Sequence, residues 1–448
     1  MKRICALLLT FALLCMSVSA AAATTLKMGS KGEEVVRLQT RLIELGLLSG
    51  SADGNYGQNT KTAVSQFQSY LAKAGYDVSV DGIAGAQTQQ YLQNDAVCDD
   101  VISLKVGDNG SSVTRLQTKL YDLSFLDGDI DGSFGEATRT AVLAFQQLMV
   151  NYGVEGIEAT GVADSATQAL LFSDLSAYDI VTPSSYDEND PLCLKAGHLY
   201  ARSCILIDAN TGEALFEKNA DRQMYPAITT KIMTLMLALE NLDLDATVTI
   251  PQSASDIPSD SSIVPLTVGE KMSVRDLLYG MMIRSGNDAA NAVATLVSGS
   301  TQSFADLMNA KAGQLGLAGT HYANAHGYHD PNHYTTARDM AMLTRVALKN
   351  DQFRAIASSQ RYTMAATQKR KELVVSRSYG ILTSSSQYYY PYAFGIKTGY
   401  TSKAGYCFVG AAEKDGRTLI AVVFKCGRDK NNKWTDTRRL FEYGFAQE

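Results

Sequence analysis

The chain is poor in cysteine, carries no excess of positive charge and has only one extended apolar run. Seven cysteines occur in 448 residues, and two of them, Cys5 and Cys15, fall in the first 23. The five beyond are Cys98, Cys193, Cys204, Cys407 and Cys426. An odd number in domains large enough to need no staples excludes a disulfide scaffold. Asp415-Gly416 predicts a hairpin turn that sets Cys407 and Cys426 on neighbouring strands. Two buried thiols are expected there, with a bridge as the alternative. The net charge is −6, and it becomes −8 once Lys2 and Arg3 are set aside. That sign excludes nucleic acid and anionic membrane surfaces as partners. The apolar run, Ala6 to Leu14, is too short to span a membrane, and no second run follows, so no transmembrane anchor is expected. With Lys2 and Arg3 ahead of it and small residues from Ser17 to Ala23 behind, residues 1–23 read as an export signal cleaved near Ala20 to Ala23.

What is present points to several folded domains. A content of 46% apolar and 19% charged residues fits packed cores, and the length predicts two to four domains. The N-terminal part repeats itself. Leu26-Lys27-Met28-Gly29 returns as Leu104-Lys105-Val106-Gly107, and Arg37-Leu38-Gln39-Thr40 as Arg115-Leu116-Gln117-Thr118. Asp53-Gly54-Asn55-Tyr56-Gly57 returns as Asp131-Gly132-Ser133-Phe134-Gly135, and Phe67-Gln68 as Phe145-Gln146. The constant offset marks a duplicated domain. Val35, Leu38, Leu42 and Leu45 form a helical stripe, as do Val113, Leu116, Leu120 and Leu123. Asp-Gly turns precede a second helix, Thr60 to Phe67 or Thr138 to Phe145, and a third short helix is predicted after Gly82 or Gly161. Each copy, 25–93 and 103–172, is expected to be a small all-α three-helix domain.

Residues 173–192, with Ser, Asp, Pro183 and Pro191 and little periodicity, read as a linker. From Cys193 to Glu448 the pattern changes. Strands are predicted at Arg202 to Asp208 and Glu213 to Glu217, around the turn Ala209-Asn210-Thr211-Gly212. Ile228 to Leu242 is apolar on nearly every face and predicts a buried helix, and Val274 to Ile283 predicts another. Strands return at Ala393 to Ile396, Gly405 to Ala412 and Thr418 to Lys425. Helices between two strand groups imply an α+β domain with one antiparallel sheet.

Three short motifs in this segment carry chemistry together. They are Pro226-Ala227-Ile228-Thr229-Thr230-Lys231, Arg284-Ser285-Gly286-Asn287-Asp288 and Gly395-Ile396-Lys397-Thr398-Gly399-Tyr400. Residues i and i+3 share a helix face, so a serine at 228 would sit beside Lys231, whose buried amine could take its proton. Each motif alone is weak, and their order and spacing make the set specific to active-site serine acyl transfer.

With these residues in view, the two repeats resemble the small peptidoglycan-binding domains found beside bacterial cell-wall hydrolases. Residues 193–448 resemble the serine D-alanyl-D-alanine carboxypeptidases, low-molecular-mass penicillin-binding proteins of β-lactamase-like fold. The resemblance implies an antiparallel sheet with a helical lobe, and removal of the terminal D-alanine of peptidoglycan stem peptides through an acyl-serine. It implies no cofactor and no metal. It makes Lys231, Ser285 and Asn287 catalytic, and gives substrate binding to Lys397, Thr398, Gly399 and Tyr400. Peptidoglycan, both stem peptide and glycan, is the implied partner, and the implied location is extracytoplasmic: wall-associated, periplasmic or secreted. Many members carry a further β-rich domain and a membrane anchor after this segment. This chain runs to Phe445-Ala446-Gln447-Glu448, and its two N-terminal domains are expected to hold the wall instead.

The departure lies at the nucleophile position, which is Ile228. Isoleucine has no hydroxyl to acylate, and Thr229 points around the helix away from Lys231. The expectation is impaired activity, with β-lactams bound at most non-covalently and recognition of D-Ala-D-Ala retained. One rival is a catalytically inactive wall-binding pseudoenzyme. A second is a zinc peptidase built on His326, His329 and His333 with Asp330. Gly327 and Pro331 put those histidines on a loop, without the helical His-x-x-x-His spacing.

Overall fold

The computed structural model describes residues 24–178 and 180–447. The export signal expected over 1–23 lies outside the described residues. The chain divides into two compact units between Ile180 and Val181.

The first unit holds both repeats. In the first copy the helices are α1 (Glu33–Glu44), α2 (Gln58–Lys73) and α3 (Ala86–Leu92). Val35, Leu38, Leu42 and Leu45 are buried together against Val64, Phe67 and Leu71. A further helix, α4 (Asp95–Ile102), fills the stretch between the copies. Asn94 caps it by accepting from Val97 N–H at 3.3 Å, and Cys98, Val101 and Ile102 join the first core. The second copy repeats the pattern with α5 (Ser111–Asp122), α6 (Glu136–Asn151) and α7 (Ser165–Leu171).

Buried glutamines tie each turn to its helices. Gln39 Nε2 donates to Asp53 Oδ1 (2.9 Å), Asn55 O (3.0 Å) and Thr60 Oγ1 (3.0 Å), and its Oε1 accepts from Gly54 N–H (2.8 Å). Gln117 makes the same set with Asp131, Ser133, Thr138 and Gly132. The second helix of each copy does likewise at the next turn: Gln68 accepts from Gly82 N–H and Gln146 from Gly161 N–H, both at 2.8 Å. Gly54, Gly82, Gly132 and Gly161 all have left-handed φ, which an L side chain resists.

The second unit is α+β. It runs β1 (Ser203–Asp208), β2 (Ala214–Lys218), α8 (Lys231–Asn241), β3 (Thr247–Thr249), β4 (Lys271–Ser273), α9 (Val274–Arg284), α10 (Asn287–Ser298) and α11 (Thr301–Gln314). It continues with α12 (Ala337–Ala347), α13 (Asp351–Ser358), β5 (Arg361–Met364), β6 (Leu373–Ser376), β7 (Ala393–Thr401), β8 (Gly405–Lys414), β9 (Arg417–Phe424) and α14 (Asn432–Ala446). The main sheet is antiparallel, in the order β2-β1-β9-β8-β7. Both of its faces are covered. Ile420, Val422 and Phe424 pack into the core of the helical lobe, while Leu419, Ala421 and Val423 pack with Trp434, Leu440 and Phe441 of α14. This makes β7 an edge strand at the helical lobe.

Two expectations need correction. The segment 183–192 is not all free linker: Tyr186 is buried in the core beneath α14, and Glu188 pairs with Arg439 at 2.9 Å. The strand predicted over Ala393 to Ile396 runs on to Thr401, so Lys397-Thr398-Gly399 lies inside β7, after a pairing irregularity between Phe394 and Lys397. Cys407 and Cys426 are both buried free thiols, as expected, and no bridge joins them. Among the described residues, no helix is long and apolar enough to cross a membrane.

Candidate active site

The site begins with a strained turn. Ala227 has φ 49°, left-handed for a residue with a Cβ, and residues 227–230 form a 3-10 turn before α8 starts at Lys231. A left-handed alanine costs about 1–2 kcal/mol, so its surroundings must impose it. They do so through a close approach: a Cβ on Gly327 would stand 1.8 Å from Ala227 O. Thr230 Oγ1 donates to the same carbonyl at 2.8 Å. His333 Nδ1 accepts from Ala323 N–H at 3.0 Å, so its Nε2 carries the proton and donates to Thr230 Oγ1 at 2.8 Å. Burial brings His333 down to about 4, which keeps it neutral and in that role. The turn presents Ile228, half-buried, to solvent-filled space.

In a 3-10 turn, positions i and i+3 eclipse, which sets side chain 228 over Lys231. Lys231 is fully buried. Its Nζ donates to Asn287 Oδ1 at 2.7 Å and to His326 O at 3.0 Å. Burial, joined by the charge of Lys397 and opposed by Asp288, pushes its ammonium well below the ordinary lysine range. Lowering an amine's pKa is what makes it a competent base. Thr229 cannot stand in for the missing hydroxyl. It is buried and donates to Pro226 O at 2.6 Å.

Ser285-Gly286-Asn287 is the joint between two helices. Ser285 ends α9 in the left-handed region (φ 62°), and Asn287 opens α10. Only glycine fits between them, because a Cβ on Gly286 would lie 2.4 Å from Val264 Cγ2 and 2.5 Å from Asp288 Oδ1. The buried Asp288 carboxylate accepts from the backbone N–H groups of Val264 (2.9 Å), Leu266 (3.1 Å) and Ala289 (2.8 Å). Asn287 N–H donates to Ser262 O at 2.8 Å, and its Nδ2 donates to Ser261 Oγ at 3.0 Å. The loop over 260–266 is thereby fixed as one wall of the site.

β7 supplies the opposite wall. Lys397 is fully buried and donates from Nζ to Ser285 Oγ. A Cβ on Gly399 would lie 3.0 Å from the backbone nitrogen of Ile228, so only glycine lets the strand pass this close. Tyr400 is 51% exposed, its ring 4.7 Å from that of Tyr406. Two cavities meet at Ile228 and Tyr400. One of about 650 Å³ also takes in Asp260, Ser261 and Asn287, and one of about 550 Å³ takes in Ser285 and Thr398. Ile228, Lys231, Ser285, Asn287, Lys397, Thr398, Gly399 and Tyr400 therefore surround one cleft between helical lobe and sheet. The cleft holds a buried amine whose pKa burial lowers, and position 228 carries no hydroxyl.

The histidines of the zinc rival serve the turn instead. His326 Nδ1 accepts from Tyr328 N–H at 3.1 Å, His333 is committed to Thr230, and the His329 ring stands edge-on to Tyr225 at 4.7 Å. Among the described residues, no group of three His, Cys, Asp or Glu side chains is placed to hold a metal ion. Gly327, the 260–262 loop and Tyr379, which lines the smaller cavity, have no signal in the sequence pattern. Asp288 had one, its place directly after Ser-Gly-Asn.

Residues 191–427 match the family described as D-alanyl-D-alanine carboxypeptidase, and residues 31–92 and 109–171 each match a peptidoglycan binding domain. Over 250 residues the chain is 34% identical to D-alanyl-D-alanine carboxypeptidase DacF of Bacillus subtilis (strain 168), an overlap of 55% of this chain and 62% of that one. Against DacF, then, the chain spans less than two thirds of the relative's length. It is 36% identical over 250 residues to a D-alanyl-D-alanine carboxypeptidase of Streptomyces sp. (strain K15), covering 53% of this chain and 84% of the relative. The crystal structure of the Streptomyces K15 DD-transpeptidase superposes with a TM-score of 0.52 at 35% identity, over 56% of this chain and 100% of that one.

Proposed function

The chain belongs to the D-alanyl-D-alanine carboxypeptidase family, and from that membership we propose an exported wall protein that recognises D-Ala-D-Ala-ended stem peptides and turns them over slowly or not at all. Residues 1–23 direct export, and the two peptidoglycan binding domains keep the chain on the glycan.

In the family reaction a serine oxygen attacks the penultimate carbonyl, an amine takes its proton, and the terminal D-alanine leaves. Here Lys231 is the amine and Ser285 relays the proton to the leaving nitrogen. Asn287 holds the substrate amide, Lys397 and Thr398 address the terminal carboxylate, and the peptide lies along the edge of β7. The step that fails is the attack. Losing the nucleophile of such a unit costs on the order of 10⁶ in rate. Binding does not need the hydroxyl. The backbone N–H groups of residues 228 and 400, which serve as the oxyanion hole, are independent of side chain 228. The reading rests on one observation: Lys231 is buried and bonded to Asn287, and the residue three positions before it, in the 3-10 turn, is an isoleucine.

A fluorescent penicillin tests it. The expected result is no covalently labelled chain after denaturation, with reversible binding at most. A stable label on the native chain would mean that a nucleophile exists despite Ile228 and would overturn the reading.

A further inference from the structure

Lys397 is buried, and among the described residues the acidic group against it is the phenol of Tyr379. Tyr379 is itself 5% exposed, with its ring between Phe408 and Trp434 at centroid distances of 5.7 and 5.4 Å. Its oxygen meets donors from two sides. Arg377 Nη1 donates to it at 3.2 Å and the backbone N–H of Thr398 at 3.4 Å. The charge of the buried Lys397 acts on it as well. The Arg377 guanidinium also lies 4.5 Å from the ring centroid, and Lys433 on α14 adds a further positive charge to its field.

A guanidinium, an ammonium and a backbone N–H can donate but cannot accept. A neutral phenol in this setting would carry a proton with no acceptor among these partners. A phenolate accepts from the guanidinium and the backbone N–H and balances the charge of the ammonium. We propose that Tyr379 ionises near neutral pH and is the counter-ion of Lys397, a positioning residue behind the hydrogen bond from Lys397 to Ser285. The phenol proton goes to solvent, and Lys397 keeps all three of its own. Lys397 donates one of them to Ser285 Oγ. The Ser285 oxygen is thereby an acceptor toward Lys397, and its own proton is free to point into the cleft. The electrostatics agree with the geometry: burial opposes the ionised phenol, and Lys397 and Arg377 outweigh it, bringing Tyr379 down to about 7.

The test is a pH titration of tyrosinate absorbance in the near ultraviolet, on the full chain. One of the 23 tyrosines should ionise with a midpoint near 7, well apart from the ordinary value of about 10. Tyr379→Phe keeps the ring packing and should abolish that step. Tyr389→Phe, at an exposed ring, should leave it in place. In an Ile228→Ser background, Tyr379→Phe should also shift the pH profile of peptide hydrolysis. Absence of any tyrosine titrating below about 9 in the native chain, or persistence of the step in Tyr379→Phe, would overturn the proposal. The titration uses no substrate, so its failure is distinct from failure of the wall-peptide reading.

Discussion

Position 228 is shaped by residues far away in the chain. Ala227 holds its left-handed φ because Gly327 leaves room for its carbonyl and because Thr230, itself bonded to His333, ties that carbonyl down. Gly327 also has left-handed φ (85°) and donates to Asn324 Oδ1 at 2.7 Å. Gly327→Ala therefore meets two penalties at once, the strained backbone and the overlap at Ala227 O. The left-handed term alone is about 1–2 kcal/mol. We expect the melting temperature of the second unit to fall by several degrees, followed through the chain's lone tryptophan, Trp434. An unchanged transition would show that the turn does not depend on this contact. Ile228 itself is readable without coordinates, since the flanking motif marks its position. The strain beneath it is not readable, because it arises from a contact between segments the sequence keeps apart.

Among the elements, the glutamine clamps explain why the repeat is so regular. Each joins a helix to the glycine turn that follows it and to the start of the next helix through one buried amide. Gln39→Ala leaves Gly54 N–H, Asn55 O and Thr60 Oγ1 without that partner, a cost of about 1–3 kcal/mol. Hydrogen exchange over residues 53–60 should quicken while the equivalent stretch around Gly132 stays protected. Unaltered protection at 53–60 would contradict the clamp's role. Most of this scale is legible in the sequence. The stripes Val35-Leu38-Leu42-Leu45 and Val113-Leu116-Leu120-Leu123 mark helices, and the short continuous apolar run 419–424 marks a strand buried on both faces. Less legible is where regular structure yields to strain: the helix read from Ile228 starts as a 3-10 turn, and Lys397 sits inside its strand. Tyr379 escapes notice altogether, because a tyrosine outside a motif acquires meaning only from the two donors and the buried lysine charge that the fold brings to its oxygen.

For the whole molecule, stability should carry a pH signature. Asp436 is fully buried on α14 and accepts from Tyr200 N–H (3.0 Å) and Ala201 N–H (2.7 Å), fastening that helix to the chain entering β1. Burial outweighs those two bonds and pushes its carboxyl up to about 7. A raised carboxyl means that the folded state keeps a proton which the unfolded state has already released. This group's contribution is thus fully present below about pH 4 and is lost as pH rises through about 7, a change of order a few kcal/mol. Unfolding of the second unit, followed by Trp434, should show that slope, and Asp436→Asn should flatten it. An equal slope in both would place the titration elsewhere. The account as a whole stands on a cleft assembled around an absent hydroxyl, and the most direct measurement is release of D-alanine from a D-Ala-D-Ala peptide by the native chain and by Ile228→Ser. The prediction is background release by the native chain and a gain of orders of magnitude, up to about 10⁶, on restoring the serine. Rapid release by the native chain, or no gain in the variant, would contradict it.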